Sequence, residues 1–105
     1  MLQEDTMSKE ILKLVLTHYW FDEIKSGRKT HEYRRKNEYW EKRLDWNNIF
    51  RKWIPYVQFQ KAYRKNPERM MFKIAYIKVV NGLETDLHCD EKVFDIALGE
   101  QIHND

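Results

Sequence analysis

Apolar residues fall into short runs along the chain, and the first run predicts a strand followed by a helix. Residues 11–17 are rich in Leu and Val with little alternation, which is typical of a strand buried on both faces. Thr17 suits the N-cap of a helix over residues 19–26, in which Trp20, Phe21 and Ile24 recur at helical spacing. Gly27 stands just past the helix end, where a left-handed backbone is needed.

The residues after Gly27 predict an extended segment. From Thr30 onward, successive side chains of a strand point to opposite faces. Glu32 and Arg34 therefore share one face with Thr30, and the opposite face carries His31, Tyr33 and Arg35. Because an unpaired buried charge is costly, a half-buried Glu32 and Arg34 would each need a partner. The pattern leaves two interpretations open: a structural ion pair, or part of a ligand site.

A second helical pattern begins at Asn37, which is a suitable N-cap. Apolar residues then recur at spacings of three and four, with a phase shift near Asp45 that divides the segment into two short helices: Trp40, Leu44, Trp46, Ile49, Phe50 and Trp53. Pro55 ends the segment. Most of these tryptophans are expected in the core. Trp40 differs because it lies close to the cationic residues 34–36, where it can offer a base-stacking surface.

Patterns typical of strands dominate the second half of the chain. Residues 56–64 and 70–80 predict two strands rich in aromatic and β-branched side chains, with a turn around Pro67 between them. Asn81-Gly82 predicts a type I′ hairpin, since both central residues of that turn need positive φ. After an acidic loop that contains Asp86, residues 93–98 predict the closing strand, with Gly99 marking a bulge or the strand end.

The order of these elements predicts the fold class. Short helices near the start and no regular βαβ alternation favour an α+β fold over a doubly wound sheet. We expect a small mixed β-barrel of about five or six strands with two or three short helices. A single domain over residues 10–105 accounts for the chain length. Residues 1–9 are polar and aperiodic, so a flexible N-terminal extension is expected.

Composition narrows the class of protein. No apolar run approaches the ~20 residues of a membrane span, and the first residues are polar and acidic, unlike a secretory signal. A cytoplasmic protein without a membrane partner is therefore expected. The single cysteine, Cys89, excludes an internal disulfide. The three glycines are scattered and the four histidines show no metal-binding spacing, so neither a cofactor nor a metal is expected.

Charge is distributed unevenly around the formal net value of +2. Residues 34–69 carry 11 Lys and Arg against 4 Asp and Glu, a net charge of +7, whereas residues 1–33 carry −1 and residues 70–105 carry −4. If the fold gathers the central cations on one side, they form a positive surface suited to phosphate-bearing partners. The alternative is a solvated face whose charge is balanced by the acidic ends.

The densest chemistry lies at residues 27–34, Gly-Arg-Lys-Thr-His-Glu-Tyr-Arg. This string resembles the G-x-K-x-x-E-x-R signature of the ASCH (activating signal cointegrator homology) domain family, with Gly27, Lys29, Glu32 and Arg34 at its four fixed positions. The strand and helix before it and the Leu-Gly ending of residues 94–99 are also similar to the family, so that the resemblance spans residues 11–102. It implies a PUA-like β-barrel in which the signature residues line a ligand cleft.

The resemblance implies that the ligand is RNA or a modified nucleotide, because PUA-like domains are commonly associated with both. The residues agree with this hypothesis, since cationic side chains contact phosphates and aromatic rings stack on unpaired bases. The candidate ligand-binding residues are Arg28, Lys29, Glu32, Tyr33, Arg34, Arg35, Lys36, Trp40, Tyr63 and Arg64.

Two alternatives are compatible with the same residues. One is a small metal-independent hydrolase in which the side chains of Lys29 and Glu32 act together in general base catalysis. Some small members of the family that this chain resembles are amidohydrolases acting on acylated cytidine. Their catalysis uses the signature lysine, a threonine three residues later and a glutamate from a more distant strand. Other members resemble ribonucleases and also rely on the lysine. Glu32 occupies that threonine's position here, which removes the amidohydrolase nucleophile. The other alternative is a protein-interaction domain, and the residues do not indicate an oligomeric state.

Overall fold

The computed structural model describes residues 11–44 and 54–103, which form one five-stranded sheet with two α-helices. The strands are β1 (Ile11–Leu16), β2 (His31–Arg35), β3 (Tyr56–Lys61), β4 (Arg69–Asn81) and β5 (Lys92–Ile102). The helices are α1 (His18–Lys25) and α2 (Glu38–Leu44), and a 3₁₀ turn covers Gly82–Glu84. The predicted α+β class is confirmed.

The sheet has the order β1-β3-β4-β5-β2 and curls into a half-barrel. β1 runs parallel to β3, whereas the other neighbouring strands are antiparallel. β1 and β2 lie at the two ends of this order although they are consecutive strands in the chain. The chain passes from one to the other through α1, so residues that follow α1 lie at the β2 edge.

The main core lies on one face of the sheet and is closed by α1. Alternate residues of β1 point into it, and Phe21 and Ile24 of α1 are buried against the same cluster. The prediction that the first strand is buried on both faces is wrong, because Lys13 is exposed and Val15 is only half-buried. Burial alternates along β1, so only the face that carries Leu12, Leu14 and Leu16 packs into the core.

Local signals around the helices are confirmed. Thr17 Oγ1 accepts a hydrogen bond from the Trp20 backbone N–H at 3.5 Å, and Asn37 Oδ1 accepts one from Trp40 N–H at 3.0 Å. Gly27 has φ +87°, the left-handed conformation expected past a helix end. The predicted N-terminal extension and the predicted second helical stretch beyond Asp45 lie outside the described residues.

The predicted type I′ hairpin at Asn81-Gly82 is wrong. Asn81 has φ −77°, and its Oδ1 accepts a hydrogen bond from Leu83 N–H at 3.1 Å, so that it caps the 3₁₀ turn. Residues 82–91 form a longer connection between β4 and β5. A Cβ on Gly82 would lie 2.6 Å from both Cys89 Sγ and the Glu91 carbonyl oxygen, so this glycine serves a close approach within the connection.

The observed ends of β3 and β5 differ from the predicted ends. The strand predicted over residues 56–64 ends at Lys61, because Ala62 has φ +60° and turns the chain away. The closing strand runs on to Ile102, past the predicted end. Its pairing with β4 shifts register between Phe72 and Ile74, opposite residues 98–101, which confirms a bulge at Gly99.

Candidate functional site

An open cleft of about 350 Å³ is lined by residues of both end strands of the sheet, β1 and β2. Its walls come from the end of β1, from α1, from β2, from the start of α2 and from the connection between β4 and β5. The lining residues are Val15, Leu16, Thr17, Trp20, Lys29, Glu32, Tyr33, Arg34, Arg35, Asn37, Trp40, Asp86 and Leu87. We call this the first cleft.

The first cleft brings together most of the residues singled out from the sequence. The predicted residues that line it are Lys29, Glu32, Tyr33, Arg34, Arg35 and Trp40. Arg28 lines a neighbouring second cleft. Lys36 lines neither cleft, and its Nζ lies 2.7 Å from Glu41 Oε2. Tyr63 and Arg64 are exposed in the turn between β3 and β4 and also line neither cleft.

The floor of the first cleft is a linked set of charged side chains. Glu32 Oε2 lies 2.8 Å from an Arg34 guanidinium nitrogen, and Glu32 Oε1 lies 3.8 Å from Lys29 Nζ. Lys29 Nζ also donates a hydrogen bond to Asp86 Oδ2. The side chains of Lys29 and Glu32 are each 9% exposed. The structure is therefore compatible with both interpretations of Glu32 and Arg34, because the two side chains form an ion pair and that pair lines an open cleft.

Burial controls the acidity of Glu32. Removal of the carboxylate from water raises the pKa of Glu32 above its ordinary value, and the nearby charges of Arg34 and Lys29 act in the opposite direction. Burial has the larger effect, so the protonated form is favoured in the folded protein relative to an exposed glutamate. A carboxyl group with a raised pKa in a cleft is suited to holding or exchanging a proton.

Aromatic rings surround the two central cations. Lys29 Nζ lies 4.8 Å from the Trp20 ring centre and 4.9 Å from the Tyr33 ring centre. Arg34 Cζ lies 5.4 Å from the Trp40 ring centre. Each arrangement is within the range of cation–π attraction. Arg34 Nε is buried and makes no hydrogen bond with any residue that the structure describes.

Carboxylates accompany the cations of this region. Arg35 contacts Glu91 at 3.2 Å, Arg28 contacts Glu23 at 2.9 Å, and both Lys29 and Arg34 contact carboxylates within the first cleft. The predicted positive surface is thus interleaved with negative charge over the part of the chain that is described. A ligand in the first cleft therefore meets carboxylates as well as cations.

The second cleft, also of about 350 Å³, lies beside the first. Four residues line both clefts: Trp20, Lys29, Tyr33 and Asp86. The second cleft also has Arg28, Thr30 and His31 in its walls. Lys29 therefore lies between the first cleft and the second cleft.

Sequence reasoning missed two important members of the site. Asp86 was recognised only as part of an acidic loop, and its contact with Lys29 depends on how residues 82–91 fold. Trp20 follows the helical apolar spacing and so indicates a core residue, yet it lines both clefts. The one local signal that Trp20 lines the clefts is its position in the first turn of α1, two residues after the helix begins.

No family model, curated protein or solved structure matches this chain. Across residues 11–44 and 54–103, no group of three or more His, Cys, Asp or Glu side chains is arranged to hold a metal ion. The helices within the same ranges are too short to cross a membrane.

Proposed function

We propose that this chain is an ASCH-type, PUA-like domain that binds single-stranded RNA or a modified nucleotide in the first cleft. The observation that supports the proposal is the first cleft itself, where the four-position signature resemblance coincides with an open hollow containing Lys29, Glu32 and Arg34. A hollow of about 350 Å³ falls within the usual range for small-ligand sites.

The chemistry of the first cleft suits a nucleobase. Bases present flat faces for stacking and edges that carry both donors and acceptors. Trp20, Tyr33 and Trp40 supply aromatic surfaces, while Glu32 and Arg34 supply an acceptor and a donor side by side. Because the cations are already accompanied by carboxylates, we assign base recognition the larger share of the binding free energy and phosphate contacts the smaller share.

Binding is tested by fluorescence anisotropy with a labelled single-stranded RNA of mixed sequence at low salt. We expect Tyr33→Leu to weaken binding about tenfold, because stacking contributes about 1–3 kcal/mol per base. Lys29→Ala is expected to weaken binding by a similar factor, since it removes a donor and leaves Asp86 and Glu32 less compensated.

Two matched variants control this experiment. Tyr63→Leu removes an exposed tyrosine and Lys42→Ala removes an exposed lysine, and neither residue lines a described cleft. Both controls are expected to bind like the wild type. The proposal fails if the wild type shows no saturable binding of RNA or of free modified nucleosides, or if the controls lose as much affinity as Tyr33→Leu and Lys29→Ala.

The raised pKa of Glu32 favours one second candidate, a hydrolase in which Glu32 exchanges protons beside Lys29. The same incubations distinguish the two functions when their products are separated by chromatography. Cleaved RNA or deacylated nucleoside that disappears with Lys29→Ala and with Glu32→Gln identifies an enzyme. Intact ligand together with weakened binding identifies a binding domain.

The protein-interaction alternative calls for a different kind of surface. Stable protein interfaces bury about 800 Å² on each partner, usually around a broad patch. The first cleft is concave and lined by ion pairs, which suits a small ligand better, so this alternative stays a prediction from the sequence.

A further inference from the structure

His31 and Asp95 form a hydrogen-bonded pair that is separate from the ion pairs of the first cleft. His31 Nδ1 lies 2.7 Å from Asp95 Oδ1, and Asp95 is only 5% exposed. In the register of β2 and β5, Asp95 is opposite Tyr33 and Ala97 is opposite His31, so the pair is diagonal on one face of the sheet. Glu32 and Arg34 occupy the other face of β2 by strand alternation.

The buried carboxylate determines which nitrogen of His31 carries the proton. An ionised carboxylate only accepts hydrogen bonds, so Nδ1 of a neutral imidazole donates to Asp95 and Nε2 is left as an acceptor. No residue within the described ranges donates a hydrogen bond to Nε2. The His31 side chain is 34% exposed and lines the second cleft, so a ligand there can reach the ring.

Neighbouring rings hold the imidazole in place. The Tyr33 ring is stacked on His31 with 5° between the planes and 6.1 Å between the centres. The Tyr76 ring meets the imidazole edge-on at 6.4 Å. With Nδ1 bound to Asp95 and the ring plane restricted by Tyr33, the direction of the Nε2 lone pair is fixed.

The two clefts are placed to receive adjacent units of one chain ligand. Tyr33 and Lys29 line both hollows, and Arg28, with a side chain that is 65% exposed, stands in the wall of the second. A nucleotide whose base occupies the first cleft would continue past Lys29 into the second. With the ring neutral, Nε2 of His31 is suited to accept a hydrogen bond from a donor group of that ligand.

We propose that the second cleft is a ribose subsite in which His31 Nε2 accepts a hydrogen bond from the 2′-hydroxyl of the neighbouring nucleotide. The inference rests on the proposed function, since it assumes a nucleotide in the first cleft. Deoxyribose has no such donor, and a 2′-O-methyl ribose keeps the oxygen but loses the hydrogen. His31 therefore selects RNA over DNA at this position.

The test compares three labelled oligonucleotides of one sequence by fluorescence anisotropy at slightly alkaline pH: RNA, DNA and 2′-O-methyl RNA. Wild-type protein is expected to bind RNA about five- to tenfold more tightly than either analogue, the effect of one hydrogen bond. In His31→Phe, which keeps an aromatic ring without nitrogen, RNA affinity is expected to fall to the level of DNA while DNA affinity stays unchanged.

His18→Phe is the matched control, because His18 is exposed on α1 and lines neither cleft. It is expected to retain the full preference for RNA. Equal binding of the three oligonucleotides by the wild type would overturn the ribose subsite and leave the proposed function standing. A full RNA preference in folded His31→Phe would do the same. No binding of any oligonucleotide would overturn the ribose subsite, and it would overturn the proposed function as well only if free modified nucleosides also fail to bind. The wild-type comparison needs no variant, so equal binding of the three oligonucleotides overturns the subsite even if His31→Phe does not fold.

Discussion

Glu32 is the residue whose environment most clearly combines structure with chemistry. It is 7% exposed, yet it stays in contact with the cations of Arg34 and Lys29. Burial of a charge is unfavourable unless partners compensate, and compensation here is incomplete because burial outweighs both cations in setting the pKa. A position that costs stability and opens on a cleft is a strong candidate for a functional residue.

The raised pKa of Glu32 predicts how stability depends on pH. A group with a higher pKa in the folded state contributes stability that is complete below its unfolded pKa and is lost as pH rises through the folded pKa. The free energy of unfolding of the wild type is therefore expected to fall relative to Glu32→Gln as pH rises above the ordinary glutamate value of 4.5. Urea denaturation of both proteins over a pH series measures the difference.

Glu91→Gln is the control for this pH series. It removes the same charge from an exposed side chain paired with Arg35. Its difference from the wild type is expected to change little with pH, because an exposed pair contributes weakly. A difference between the wild type and Glu32→Gln that stays constant, or grows in favour of the wild type, would show that burial does not dominate at Glu32.

Single residues also show where sequence reasoning reaches its limit. Lys29, Glu32 and Arg34 were recognisable because they lie within one short segment whose strand alternation places two of them together. Asp86 was not, since it lies 57 positions from Lys29 and approaches it only through the fold of another connection. Contacts of that kind depend on tertiary structure and leave no local pattern.

At the scale of elements, two glycines have different physical requirements. Gly27 needs positive φ, and a Cβ there would meet no atom within 4 Å. Gly82 needs space beside Cys89 and Glu91. We expect Gly27→Ala to lower the free energy of unfolding by about 1–2 kcal/mol through backbone strain. Gly82→Ala is expected to cost about 1–3 kcal/mol through overpacking, with chemical denaturation as the measurement.

Gly99→Ala provides the comparison for both. A Cβ at this position would lie 3.4 Å from the nearest atom, the Lys73 carbonyl oxygen, which requires only a slight adjustment. Its effect is expected to stay within about 0.5 kcal/mol. If Gly99→Ala lowers the free energy of unfolding as much as Gly82→Ala does, replacement of any glycine destabilises the protein and the close approach at Gly82 is not the cause.

The elements themselves were predictable to the extent that their causes are local. Thr17 and Asn37 cap helices through hydrogen bonds to residues three positions away, so their roles follow from nearby sequence. Asn81-Gly82 has the composition of a tight hairpin, but Asn81 caps a 3₁₀ turn and Gly82 lies close to Cys89 within a longer connection. The one-sided burial of β1 likewise depends on what covers each face of the sheet, which a run of Leu and Val does not specify.

At the scale of the whole molecule, the charge distribution differs from what the net charges of the sequence segments suggest. The net charge of +7 over residues 34–69 indicates a positive surface. In the described part of that range, Lys61 contacts Asp22 at 3.0 Å and Arg35 contacts Glu91 at 3.2 Å. Acidic residues from elsewhere in the chain therefore interrupt the positive surface, and segment totals overestimate its strength.

Under the proposed function, this charge balance predicts that the affinity for RNA depends only weakly on salt. Each phosphate neutralised on a single strand contributes about −0.7 to the slope of log affinity against log salt. We expect a slope smaller in magnitude than about 1, because the cations of the two clefts already have carboxylate neighbours. Affinity measured over a series of sodium chloride concentrations gives the slope, and a value near −3 would contradict the expectation.

One substitution tests how Asp86 affects this salt dependence. Asp86→Asn removes a charge that faces Lys29, so the slope is expected to steepen by about 0.7 as Lys29 becomes available to a phosphate. Asp90→Asn removes the same charge from an exposed position in the same connection, outside both clefts, and should leave the slope unchanged. Equal slopes in the two variants would mean that Asp86 does not restrain Lys29.

The parallel pairing of β1 with β3 has a consequence for how the chain is made. Ile11 is opposite Tyr56, so the earliest described strand finds its neighbour only after 45 further residues have been synthesised. Pairings between such distant segments form slowly because a long loop must close first. During translation, β1 is therefore made well before the strand it pairs with, and its apolar residues stay without that neighbour until β3 has been synthesised.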